Sequence, residues 1–486
     1  MTEPLWRPTS EEIELTEMTR YMRSLDGKFD DYASMWEWSI TERADFWESI
    51  WTFGEVRASK PYESVVENPQ KMPGVKWFPG ARLNFAENLL RFRDDHPAIV
   101  FQGEGQPRRS LSYRELYDQV SRLAKAMRAH GIKVGDRVAG FLPNMPEAII
   151  AMLAATSIGA IWSSCSPDFG IKGVLDRFGQ IAPRILFTAD GYFYNGKTFD
   201  SLERISGILK ELPSVEKVVV IPYASAKPDT SAVANAVLFE EFLAAEAGEI
   251  EFEQLPFDHP LYIMYSSGTT GVPKCIVHGA GGTLLQHIKE LWLHTNVTRE
   301  SRIFYFTTCG WMMWNWLVSS LTAGATILLY DGFPFFPDAK GLWTFAEETG
   351  MTVFGTSAKY IAALEKEGFK PREEVDLSAL RTICSTGSPL SAESFDYVYR
   401  DIKEDLCLSS ISGGTDIISC FALGNPNLPV WRGELQCRGL GMKVDVFDDA
   451  GEAVRGIQGE LVCTAPFVSM PVSFWNDPDE SKYRGA

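Results

Sequence analysis

From Ala98 onward, apolar residues follow two patterns, short continuous runs and a beat of three to four residues, and these alternate along the chain. The clearest beat lies between Ser112 and Gly131, where Leu116, Val120, Leu123 and Met127 would share one face of a helix. Ser112 and Glu115 have capping-box spacing at its start, and Gly131 is a C-terminal stop. The runs at 137–142 and 159–163 predict strands flanking a helix over 146–155. The alternation returns at 302–306, 317–323, 326–330, 342–349 and 352–354. Two stretches of strand–helix alternation predict two parallel sheets covered by helices. Residues 1–95 lack this pattern. Trp36, Trp38, Phe46, Trp47 and Trp51 fall in a helical-looking segment there, which predicts an N-terminal cap packed on an α/β body over 96–438. After Gly439 the period becomes two. Residues 443–447, the turn Asp448-Asp449-Ala450-Gly451 and residues 459–463 predict a hairpin within a small β subdomain over 439–486.

Composition narrows the function classes more than the fold. The chain of 486 residues is 45% hydrophobic and 23% charged, as expected for a globular protein with a sizeable core. Its net charge of −18 argues against nucleic acid or an anionic membrane as partner, although a local basic pocket stays compatible with it. The cysteines Cys165, Cys275, Cys309, Cys384, Cys407, Cys420, Cys437 and Cys463 include no Cys-x-x-Cys pair, and the histidines do not cluster with them, so a zinc site is not expected. Scattered cysteines suit reduced thiols and a cytoplasmic location. Met1-Thr2-Glu3-Pro4 opens no secretory leader, and no apolar run reaches the roughly 18 residues of a membrane span.

The richest chemistry is in Tyr265-Ser266-Ser267-Gly268-Thr269-Thr270-Gly271-Val272-Pro273-Lys274, delivered by the apolar run 261–265. Backbone N–H groups, hydroxyls and one cation make a cradle for a polyphosphate. The loop is not a Walker A box, because Lys274 stands three residues after Gly271 and precedes Cys275. A flexible surface turn is the alternative reading of such a cluster. No Ser-His-Asp or Cys-His arrangement has recognisable context.

Four further motifs follow in order around the loop: 144–170, ending Ile161-Trp162-Ser163-Ser164-Cys165-Ser166-Pro167-Asp168-Phe169-Gly170; Cys309-Gly310-Trp311-Met312-Met313-Trp314-Asn315-Trp316; Ser385-Thr386-Gly387-Ser388-Pro389-Leu390; and Ser412-Gly413-Gly414-Thr415-Asp416-Ile417-Ile418. With the loop, these resemble the adenylate-forming superfamily of acyl-CoA synthetases over essentially the whole chain, and within it the branch acting on acetoacetate. The resemblance implies an α/β fold: the large N-terminal domain of the adenylate-forming enzymes, with two helix-covered β-sheets and a small β-barrel-like subdomain. It also implies ATP, Mg²⁺ and coenzyme A, and catalysis by positioning and charge stabilisation.

Site residues carried over from the resemblance are these. Ser266, Ser267, Gly268, Thr269, Thr270, Gly271 and Lys274 would hold the β- and γ-phosphates. Thr415 would bond the α-phosphate, and Asp416 would ligate Mg²⁺, where many relatives carry glutamate. Gly387, Ser388 and Pro389 would wall one face of adenine, and Ser410, Ile411, Ser412, Gly413 and Gly414 the other. Lys274, Thr415 and Asp416 are the catalytic set. The acyl pocket would comprise Trp311, Met312, Met313, Asn315, Thr386 and Gly413. Acetyl-CoA synthetases carry a tryptophan where Gly413 stands, so the glycine implies room for a larger acid. Asn315, Thr386 and Ser388 are equal candidates to donate to a keto oxygen. Coenzyme A would meet Lys197 and Tyr194, where acetyl-CoA synthetases place two arginines, and Phe335 replaces a CoA-contacting asparagine.

The family's ribose-binding Gly-Asp pair, its hinge and its C-terminal domain with the adenylation lysine would fall after Ala486. A polypeptide ending there is expected to bind ATP weakly and adenylate poorly. Some relatives are regulated by acetylation and deacetylation of that C-terminal lysine. Propionate, butyrate and 3-hydroxybutyrate are the competing acids. The other readings are an adenylation domain loading a carrier protein and a catalytically dead nucleotide-binding module.

Overall fold

The helix expected over 112–131 runs Tyr113–Ala129. Ser112 accepts from the Glu115 amide, and the Glu115 carboxylate accepts from the Ser112 amide in return, closing the capping box. Leu116, Val120, Leu123 and Met127 are buried, so the stripe faces the core as its spacing requires. The structure is a computed structural model that describes residues 3–266 and 271–485.

Two large sheets form the body. The first has the spatial order Ala236–Leu238, Lys217–Ile221, Ile185–Ala189, Arg137–Phe141, Ile161–Cys165, Pro260–Ser266, Lys274–Gly279, Ser473–Phe474. Its first six strands are parallel and the last two antiparallel. The second has the order Cys407–Ser410, Thr382–Thr386, Val353–Ser357, Arg302–Tyr305, Thr326–Asp331, Pro97–Gly103, Arg109–Ser112, and only its last pair is antiparallel. The parallel strands read as near-continuous apolar runs because helices cover both faces. Beyond them lie a three-stranded antiparallel sheet (Ser412–Gly414, Ser419–Leu423, Cys437–Arg438) and the expected hairpin, Val444–Phe447 with Glu460–Cys463. The chain then returns to the first sheet, where Ser473–Phe474 pairs beside Ile276 and Val277.

The N-terminal helices Glu17–Ser24, Tyr32–Thr41 and Arg43–Phe53 bury Trp36, Trp38, Phe46 and Trp47 in the largest core cluster, and Trp51 stacks on Phe78. They pack against a helix that lies inside the molecule, Ala280–Ile288, which continues as a π-helical turn over Lys289–His294. Every residue of that element is buried. Two glycines permit its approach: a Cβ at Gly281 would stand 2.2 Å from the Phe257 ring, and one at Gly282 would stand 2.0 Å from the Val468 carbonyl oxygen. No helix among the described residues is long and apolar enough to cross a membrane.

Candidate active site

The segment expected to hold phosphate connects two antiparallel strands. Ser266 ends the strand Pro260–Ser266 and faces Lys274, the first residue of the returning strand. Ser267, Gly268, Thr269 and Thr270 lie outside the described residues. Gly271 has φ +128°, a conformation that suits only glycine. Lys274 is exposed and in no ion pair among the described residues, and its Nζ stands 5.8 Å from the Phe474 ring centroid. A cation held beside an aromatic face with no carboxylate partner is available to an anionic ligand.

The same returning strand reaches the second half of the site. The buried His278 donates from Nε2 to the Thr415 carbonyl at 2.8 Å. Thr415 and Asp416 occupy the turn between Ser412–Gly414 and Ser419–Leu423, in which Ile417 and Ile418 donate back to Gly414 and Thr415. Asp416 is exposed and makes no hydrogen bond or ion pair among the described residues. On the neighbouring strands Ile411 donates its amide to the Ser385 carbonyl at 2.8 Å, and the Thr386 hydroxyl donates to the Ile411 carbonyl at 3.0 Å. Gly387, Ser388 and Pro389 follow on the surface, Gly387 with φ +87° and open space where a Cβ would stand. Ser410, Ile411, Ser412, Gly413, Gly414, Thr386, Thr415 and Asp416 are thus one connected group at the C-terminal ends of parallel strands, where ligands bind in open α/β sheets.

Of the residues expected to form the acyl pocket, Trp311, Met312, Met313 and Asn315 stand on and before the helix Met312–Val318. Met312, Met313 and Asn315 are buried, but Trp311 is 65% exposed. Asn315 lines a narrow cleft with Tyr262, Ser164, Tyr265 and Gly310. Gly413 has a reason beyond pocket size. A Cβ there would fall 2.2 Å from the Ser419 carbonyl oxygen and 2.7 Å from the Cys420 Cα. Glycine is what lets this bulged hairpin close, and an indole at 413 would displace the strand Ser419–Leu423 before it filled any pocket. On the coenzyme A side, Tyr194 and Lys197 are both exposed, flanking the turn of the hairpin Gly191–Tyr194/Lys197–Asp200. Tyr194 packs edge-on against Phe333, which packs on Phe335.

A buried polar network behind the site escaped the sequence reading. Glu290, in the π-helical turn, accepts from the Trp316 indole at 2.9 Å, the Ser419 hydroxyl at 2.6 Å, the Cys420 amide at 3.0 Å and Lys289 at 3.3 Å. His287 bonds the Ser319 hydroxyl and the Ile418 carbonyl, and His294 bonds the Gly424 carbonyl. This element therefore ties the acyl-pocket helix to the Thr415–Asp416 turn. The available signal was polar residues 287, 290 and 294, spaced three and four apart, in an otherwise apolar stretch.

These histidines predict an acid sensitivity. Burial pushes His278 and His294 down to about 3 and lowers His287 in the same direction. Groups whose folded values lie below their unfolded ones contribute stability above pH 6.5 that is lost as pH falls toward the folded value. Asp331 opposes this: burial pushes its carboxyl up to about 7, so its contribution is lost as pH rises. Two protons refused against one retained leave a net slope of about 1.4 kcal/mol per pH unit between roughly pH 6.5 and 4.5, steepened by His287. Urea midpoints measured across that window are expected to fall on acidification. A midpoint that holds or rises would show that the histidines are not held neutral.

An exposed lysine at the start of one strand, joined through His278 to a turn that carries a free carboxylate, is an arrangement compatible with a charged ligand. The AMP-binding enzyme model matches residues 85–471, and the acetyl-coenzyme A synthetase N-terminus model matches residues 32–89. The acetoacetyl-coenzyme A synthetase of Rhizobium meliloti (strain 1021) is 53% identical over 492 residues, covering 99% of this chain and 75% of that protein. The acetoacetyl-CoA synthetase of Gallus gallus is 49% identical, covering 99% and 74%. The solved structure of acetoacetyl-CoA synthetase from Streptomyces lividans superposes with a TM-score of 0.94 at 43% identity, covering all of this chain and 76% of that one. The chain belongs to the AMP-binding enzyme family, in its acetoacetyl-CoA synthetase branch, and spans about three quarters of the length of these relatives.

Proposed function

We infer that the protein is an AMP-forming acid–CoA ligase acting on acetoacetate. The acid's carboxylate oxygen attacks the α-phosphorus of ATP and expels pyrophosphate, giving acetoacetyl-AMP. The thiol of coenzyme A then attacks the acyl carbon, loses its proton, and releases AMP. The observation that carries this reading is the His278–Thr415 bond, which joins the Lys274 strand to the Thr415–Asp416 turn in a chain 53% identical to an acetoacetyl-coenzyme A synthetase over nearly its whole length.

In this proposal Ser266, Gly271 and Lys274 hold the terminal phosphates, and Thr415 donates to the α-phosphate. Gly387, Ser388 and Pro389 face adenine across Ser410–Gly414. Asp416 suits Mg²⁺, which takes one or two carboxylates and fills its remaining positions with phosphate oxygens and water. Bound there, the ion would neutralise phosphate charge. Among the three candidate donors to the keto oxygen, Asn315 is favoured. The Thr386 proton is committed to the Ile411 carbonyl, whereas the buried Asn315 side chain carries two N–H donors and lines the cleft beside Ser164 and Gly310. Tyr194 and Lys197 receive coenzyme A. A cytoplasmic location belongs to the same proposal, supported by eight cysteines that are all unpaired.

The test is AMP formation with coenzyme A across acetoacetate, acetate, propionate, butyrate and 3-hydroxybutyrate. Acetoacetate is expected to lead in kcat/KM by about tenfold, since a site that pairs a carbonyl rejects acids lacking it. Preference for acetate would overturn the substrate assignment, and acid-independent turnover would overturn the ligase reading.

A further inference from the structure

We propose that Glu104 is a positioning residue for the coenzyme A half of the reaction, holding the Tyr194–Lys197 hairpin through its backbone. The proposal rests on the reading that this hairpin receives coenzyme A.

Glu104 follows the strand Pro97–Gly103 of the second sheet and is 4% exposed. A carboxylate so buried needs compensation. No cation among the described residues pairs with it. Instead its oxygens accept three backbone amides: Asn195 at 2.9 Å, Gly196 at 2.5 Å and Phe333 at 2.8 Å. Asn195 and Gly196 are the two turn residues between Tyr194 and Lys197, at φ +52° and +73°, as a tight hairpin of the primed type requires. Their amides point away from the hairpin's own ladder, so the carboxylate fixes the turn from outside. Phe333 belongs to the segment after Thr326–Asp331 in the second sheet, and its ring packs 5.3 Å from that of Tyr194. The Glu104 amide in turn donates to the Asp331 carbonyl at 2.8 Å. One side chain thus clamps a hairpin hung from the first sheet to a loop of the second.

The approach is tight. A Cβ at Gly332 would stand 2.5 Å from the Glu104 Cβ and 2.9 Å from its Oε2, so glycine there keeps the carboxylate within reach of the Phe333 amide. The two side chains assigned to coenzyme A project from either side of a turn that Glu104 holds, while Glu104 makes no hydrogen bond to any residue assigned to ATP or the acid. Its loss should therefore be felt in the second half-reaction, not in the first.

Glu104→Gln keeps the volume but presents an NH₂ where amides now donate. Losing one or two charge-assisted bonds is expected to raise KM for coenzyme A about tenfold, while the rate of acid-dependent pyrophosphate–ATP exchange changes by less than about twofold. Amide exchange at Asn195 and Gly196 should accelerate. Glu104→Asp, which keeps the charge but shortens the reach, should shift KM the same way by less, and serves if the glutamine variant does not fold. Lys197→Ala separates the two readings. If it raises KM for coenzyme A and the Glu104 variants do not, the positioning role is wrong. If Lys197→Ala leaves that KM unchanged, the hairpin is not the coenzyme A site. A parallel fall of both half-reactions in Glu104→Gln would make Glu104 a fold residue and overturn the inference.

Discussion

Replacing Asp416 by alanine is expected to slow acid-dependent pyrophosphate–ATP exchange by about 10²–10³-fold, the scale on which single preorganised charge-stabilising groups act. The unfolding free energy from urea titration should stay within about 0.5 kcal/mol of the parent. Both halves of this expectation come from the same geometry. Asp416 sits exposed in the turn between two short antiparallel strands, and the turn closes through main-chain bonds from Ile417 and Ile418. Its carboxylate touches no partner among the described residues, so folding gains nothing from it. In the proposed site an exposed, unpartnered carboxylate is suited to carrying the metal that accompanies ATP. Asp416→Glu, which keeps the carboxylate and lengthens it by one methylene, should retain activity within about tenfold if charge rather than reach decides. An alanine variant that exchanges pyrophosphate at near-parental rate would remove Asp416 from the catalytic set. A drop in midpoint would show that it supports the turn instead.

The parts of the fold that could be read in advance were those whose pattern is local. The helix Tyr113–Ala129 announced itself through a capping box and a single apolar stripe. The hairpin Val444–Phe447/Glu460–Cys463 did so through alternation on either side of an Asp-Asp-Ala-Gly turn. The helix Ala280–Ile288 gave no such signal, because a helix buried on all sides has no polar face to define a period. Its glycines suggest a loop until Phe257 and Val468 are seen pressing against them. The site divides in the same way. Ser266, Lys274, Gly387, Thr415 and Asp416 could be proposed from the sequence because each lies in a short ordered motif. His278 and Glu290 could not, since they act on residues 137 and 129 positions away, and nothing in their own neighbourhoods marks the partner. Gly413 could be proposed from the sequence as a missing indole, but the closeness of Ser419 that requires a glycine there could not.

Glu290→Gln is expected to be the most damaging substitution for stability, at about 3–5 kcal/mol, the usual cost of removing one member of a buried ion pair. Burial alone would raise the Glu290 carboxyl. Lys289 and the bonds from Ser419 and Cys420 outweigh it and hold the group below its ordinary range. Glutamine leaves Lys289 fully buried without its carboxylate partner. It also weakens the acceptor for the Trp316 indole, the Ser419 hydroxyl and the Cys420 amide. The damage should not stop at stability, because those three donors belong to the acyl-pocket helix and to the strand that follows Asp416. KM for the acid and the exchange rate should therefore both suffer, in contrast to Asp416→Ala, which affects exchange alone. The double variant Lys289→Met/Glu290→Gln removes both charges and tests how the cost divides. Since desolvated charge is the larger part of a broken buried pair, it should recover about half of the lost stability while the exchange rate stays low. Urea titration of the parent, single and double variants gives the comparison. A single-variant cost below about 1 kcal/mol would show that water reaches Lys289 and that the π-helical turn does not join the two halves of the site.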